Sequence, residues 1–138
     1  MAKDIAHEYK FSQGMIPAHT LSTPSPTATD TAGFESTMFV FDIGAIGSSA
    51  TLRVHFHDGA SSSPTTDVVA ADLEIYNWTT PVAVTTAYFD ADDGADSTIV
   101  TVQYKGTARY VVPVPTIGVE HYDMGYVTVQ GFARHPMR

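Results

Sequence analysis

The chain has no cysteine, few basic residues and no long apolar run. Without cysteine there is no disulfide, no thiolate metal site and no Cys nucleophile. Lys and Arg number 7 against 15 Asp and Glu, giving a formal net charge of -8. The basic residues Lys3, Lys10, Arg53, Lys105, Arg109, Arg134 and Arg138 are scattered. Coating nucleic acid takes clustered cations to neutralise phosphates, so no direct nucleic-acid partner is expected. No stretch reaches the roughly 20 apolar residues of a membrane helix. Met1-Ala-Lys-Asp4 leads into no apolar run of the secretory kind, and no membrane partner is expected. The G-x-S-x-G, H-E-x-x-H and P-loop patterns are also missing, so the chain reads as a non-enzyme without a cofactor.

What is present is small, polar and β-forming. At 138 residues the chain is long enough for one domain with a substantial core. Thr, Ser, Ala, Val and Gly are abundant, and Val, Thr, Tyr and Phe suit a pleated, half-buried surface. Residues 1–33 read as an extended arm, because Leu21-Ser-Thr-Pro-Ser-Pro-Thr-Ala-Thr carries too little apolar surface to order itself. Strand signals begin after Gly33. Met38 to Ile43 has apolar residues on both faces, as in a strand covered on both sides. In Thr51 to His57, Leu52, Val54 and Phe56 alternate with Arg53, His55 and His57. Asp67 to Tyr76 reads as a short helical turn capped by Asp67, followed by a strand. Val82 to Phe89 reads as one strand. Thr98 to Tyr104 and Ala108 to Val114 read as a hairpin turning at Lys105-Gly-Thr107, with Pro113 and Pro115 at a sheet edge. Tyr126 to Phe132 reads as the last strand, and 133–138 as a polar tail. Several short strands between turn signals predict an all-β fold, a single β-sandwich of jelly-roll or Ig-like kind over residues 34–132.

Two groups of residues could carry chemistry. His55 and His57 share a strand face, so their imidazoles could converge on a metal with a third ligand from Glu120, His121 or Asp123. The alternative is a solvated or partner-facing side of an amphipathic strand, which the lack of defined ligand spacing favours. Asp90, Asp92 and Asp96 place carboxylates around Gly94, as calcium loops do, although the Gly comes early and no Glu closes the ring. A solvated acidic turn is the simpler account. Trp78, beside Tyr76, could anchor an interface or a carbohydrate, or lie in the core.

Three passages together carry a resemblance. They are Asp30-Thr-Ala-Gly-Phe-Glu-Ser36 with the strand after it, Tyr104-Lys-Gly-Thr-Ala-Arg-Tyr-Val111, and Gly125-Tyr-Val-Thr-Val-Gln-Gly131 running to Arg134-His-Pro136. In this order the chain resembles small virion proteins of tailed bacteriophages, of the kind proposed as head decoration (cement) or minor capsid proteins. The resemblance implies a β-sandwich or jelly-roll module on the outer capsid surface, made in the host cytoplasm. Its partners would be the major capsid protein and copies of itself, often as a homotrimer. The aromatic residues Phe34, Tyr76, Trp78, Tyr110, Tyr122 and Tyr126 are then the interface candidates. A head–tail connector or tail protein, and a carbohydrate- or calcium-binding sandwich module, are the alternative readings.

Overall fold

The computed structural model describes residues 9–20, 26–48, 50–77, 83–84, 87–91, 98–118 and 121–133. They form two antiparallel sheets packed face to face, a β-sandwich. The first sheet runs in the order β1 (Tyr9–Thr20), β11 (Tyr122–Ala133), β3 (Phe34–Ile46), β9 (Thr98–Tyr104) and β6 (Leu73–Asn77). The second runs β2 (Thr29–Asp30), β10 (Tyr110–Ile117), β4 (Leu52–Gly59), β8 (Phe89–Ala91) and β7 (Ala83–Val84), with β5 (Thr66–Asp67) also on the edge of β4.

Alternating side chains from both sheets fill the space between them. Phe39, Phe41, Ile43, Val100, Val102 and Tyr126 enter from the first sheet, and Leu52, Val54, Phe56, Phe89 and Val111 from the second. Aromatic rings bridge the layers: Phe41 meets Phe89 edge-on at 5.3 Å between centroids, and Phe39 meets Phe56 at 5.5 Å. Such pairs add roughly 0.5–1.5 kcal/mol each beyond their buried area. A second tie is polar. The Tyr104 hydroxyl on β9 donates to Asp58 Oδ2 on β4 at 2.7 Å and accepts from the Ala108 N–H at 3.2 Å. Burial, and then this bond to Asp58, push the Tyr104 hydroxyl well above the ordinary tyrosine range.

Several local expectations change once pairing is seen. Tyr9–Thr20 was placed in the arm, yet it pairs with β11 from Tyr9↔Gly131 to Thr20↔Tyr122. Its weak periodicity reflects register shifts around Gly14 and between Met15 and Ala18. At Gly14 a Cβ would overlap the Tyr126 ring, so only glycine lets β1 close over it. β9 and β10 are not a hairpin. Lys105–Arg109 carries the chain from one sheet to the other, held by the Lys105 N–H donating to the Asp72 carbonyl at 2.7 Å. Val82 to Phe89 is not one strand either, since Ala83 and Val84 pair back on Asp90 and Phe89. The helical turn at Ala70–Asp72 precedes β6 as expected, but Val69 stands at its N-cap position and Asp67 lies in β5. On β3, Phe39, Phe41 and Ile43 are buried, whereas Met38 and Val40 point outward and are only half-covered. Pro113 and Pro115 lie beyond the two β10 residues that pair with β2, as a sheet-edge position requires.

Candidate functional site

The β-sandwich has two outer faces, and each gathers part of the candidate chemistry. On the first sheet, the strand registers bring Phe11, Val127, Val129, Met38, Val40, Ile99 and Tyr76 to the solvent side. Phe11 is 59% exposed, Tyr76 50%, and Ile99 and Val127 40% each. Only Val69 joins them among the exposed large apolar residues in the described part of the chain. A dent of about 200 Å³ sits over Gly125, where the absent side chain leaves Met15, Val40 and Val127 as its apolar walls. Phe11, Ile99 and Val127 were missed from sequence. The signal was the strict alternation of Thr98 to Tyr104 and Gly125 to Gly131, which names two faces without saying which is buried.

The aromatic candidates separate. Tyr76 is on this outer face. Phe34 is half-buried below the Lys10 ammonium, 5.7 Å from its ring centroid, and Tyr110 is half-buried beside the Arg109 guanidinium at 5.2 Å. Tyr122 and Tyr126 are 0% and 3% exposed, so they belong to the core and not to an interface. Both hydroxyls lack a hydrogen-bond partner among the described residues, and burial pushes Tyr122 up to about 12 and Tyr126 higher still. Trp78 lies outside the described residues.

On the second sheet, β4 turns Arg53, His55 and His57 outward while Leu52, Val54 and Phe56 are buried, as their alternation predicts. The two imidazole centroids are 5.0 Å apart at 69°. Their third neighbour is Asp67, which the β4–β5 register sets directly opposite His57. His121 and Asp123 are on the first sheet's side, with the His121 carbonyl accepting from the Gly47 N–H, and they do not join the pair. Glu120 lies outside the described residues. His57 Nε2 is 3.0 Å from Asp67 Oδ1. Burial holds His55 below the ordinary histidine value, with His57 adding to the effect and Asp67 opposing it. Asp90, the described member of the acidic loop, takes two hydrogen bonds from Arg53, at 2.7 and 2.8 Å. Asp92 and Asp96 lie outside the described residues.

The three passages that carry the resemblance meet in space. Asp30 accepts from the Arg109 guanidinium at 3.1 Å, Thr31 Oγ1 donates to the Ala108 carbonyl at 2.8 Å, and the buried Gln130 amide donates to the Asp30 carbonyl at 2.8 Å. Arg109, and then the Ala32 N–H, hold the Asp30 carboxyl below the usual range. Gly33, at φ +87°, turns β2 into β3 beside this knot. Thr31, Gly33 and Arg109 border a cleft of about 470 Å³ between the β2–β3 turn and the crossover. The polar groups of Asp30, Thr31, Arg109 and Gln130 thus hold one another and the nearby backbone. No protein-family model, curated protein or solved structure matches the chain.

Proposed function

We propose that this protein is a structural component of an assembly, a decoration protein that stabilises a tailed-phage head by docking on the capsid surface. The observation that carries the reading is the outer face of the first sheet, where Phe11, Tyr76, Ile99 and Val127 stand exposed together. Large apolar residues exposed on one face mark protein–protein contact, and the Gln13, Thr101 and Gln103 set among them give the mixed polar and apolar surface such contacts have. Its size is adequate. Five strands about 4.8 Å apart, over the seven residues of β9 at about 3.4 Å each, give roughly 570 Å² in plan. A stable interface takes about 800 Å² of accessible surface per partner, and a rough sheet face exposes more than its plan area. Asp42 and Glu74 carry the carboxylates of this face, and Glu74 is already paired with Lys105 at 2.9 Å, so its charge is partly compensated before any contact forms. The major capsid protein is the proposed partner on this face, with copies of the chain meeting as a trimer. The resemblance supplies that choice of particle.

The test is co-sedimentation with shells that lack the protein, comparing wild type with an Ile99→Glu/Val127→Glu variant. Saturable binding at many copies per shell, lost in the variant without loss of folding, supports the reading. A copy number fitting a single ring moves the protein to the head–tail connector. Absence of binding by the wild type removes the capsid role.

A further inference from the structure

The cluster on the second sheet lies apart from that docking face and calls for its own account. We propose that His55, His57 and Asp67 form a binding site for a divalent transition metal of the zinc class. One donor atom from each of the three residues lies within 4.8 Å of the others. Tetrahedral zinc, with bonds of about 2.0–2.1 Å, needs donors roughly 3.3–3.4 Å apart. Closing the set therefore takes side-chain rotation and no movement of strand backbone. The β4–β5 ladder has already placed the residues: His55 and His57 share a face by alternation, and Asp67 is the cross-strand neighbour of His57.

The surroundings suit a cation at this point. Among the described residues, the nearby permanent positive charge is Arg53, which Asp90 engages through two hydrogen bonds and which stacks on Tyr88 at 4.1 Å. On β10 the register sets Val112 and Val114 beside the two imidazoles, so that strand offers no competing ligand or charge. A concavity of about 340 Å³, bordered by His55, Asp67, Ala87 and Tyr88, leaves room for water to complete the coordination.

Two nitrogens and one carboxylate oxygen select zinc, cobalt, nickel or copper over calcium and magnesium, which want oxygen shells. The ion would clamp β5 and the Ala60–Thr65 connection onto β4. It makes a third tie on a segment whose described backbone anchors are the two-residue ladder and the Val68 N–H donating to the Phe56 carbonyl at 2.9 Å.

The experiment titrates zinc into chelator-stripped protein by calorimetry at pH 7.5, with cobalt as the visible-light reporter. Expected are saturable zinc binding and a cobalt absorption band typical of four-coordinate nitrogen and oxygen ligation. Both should disappear in His55→Ala/His57→Ala and weaken in Asp67→Asn, and calcium should not compete. All three side chains face outward, so folding should survive. His55→Gln, which keeps a polar group of similar reach, gives the same reading should the double variant unfold. Absence of zinc binding overturns the site. So does binding that persists undiminished in the double variant and in His55→Gln, which would place the ion on other histidines.

Discussion

On the outer face of the first sheet, Phe11, Tyr76, Ile99 and Val127 meet solvent; on that of the second, Arg53, His55 and His57 do. The inner faces are alike, both largely apolar and both contributing rings to one cluster. The difference is therefore not a demand of folding, since a sandwich is satisfied when its inner faces are buried. The outer faces are free to be chosen. One exposes large apolar groups, while the other pairs Arg53 with Asp90 and sets His57 3.0 Å from Asp67. The first arrangement suits contact with a large surface, and the second suits small ions or water.

Substitutions can break this contrast one side at a time. The largest effect expected is from Gly14→Ala, which drives a methyl group into the Tyr126 ring and forces β1 away from β11. Overpacking of this kind costs about 1–3 kcal/mol. Urea unfolding should show that loss, and shell binding should weaken with it, because Phe11 rides on β1. Zinc binding at the second sheet should be untouched. Next comes Tyr104→Phe, which cuts the polar tie between the sheets and leaves Asp58 and the Ala108 N–H short of a partner. A loss of about 1–2 kcal/mol is expected, since a hydrogen bond to a charged group is worth more than a neutral one. Shell binding and zinc binding should both follow this loss through stability alone.

The smallest effect is one of pH. His55 is held below its ordinary value by burial first and by His57 next, with Asp67 opposing and Arg53 adding a further push downward. A histidine depressed in the folded chain binds fewer protons there than when unfolded. Its penalty is absent above its ordinary value of about 6.5, and stability is lost as the pH falls below it. Melting temperatures taken from pH 7.5 down to 5 should fall less steeply for His55→Asn than for wild type. An unchanged slope would show that His55 does not set this face's response to acid.

Local pattern revealed some of this and concealed the rest for a consistent reason. The alternation in Thr51 to His57 needs no partner to be read, and β4 buries and exposes the residues it predicts. The crossover at Lys105–Arg109 carries the same turn signal as a hairpin. Whether the chain folds back or changes sheet depends on β3 and β4, far away in sequence, which accept β9 and β10 respectively. Asp67 was legible only as a capping residue, because its ladder with His57 is two residues long and follows a Ser-rich loop. Tyr122 and Tyr126 look like interface aromatics until β11 is found between β1 and β3, where its inward face is wholly covered. In each case the residue type was visible and the partner was not.

The position of β11 also orders events during synthesis. It is the last of the described strands to leave the ribosome, yet it fills an inner place between β1 and β3. Until it emerges, β1 has no ladder to join, and β3 carries an open edge lined with phenylalanine and valine. Such edges invite pairing between nascent chains. A chain stalled or cleaved before Tyr122 would thus be an aggregation seed rather than a smaller folded protein, and expression yield should depend on how quickly the last dozen strand residues are delivered.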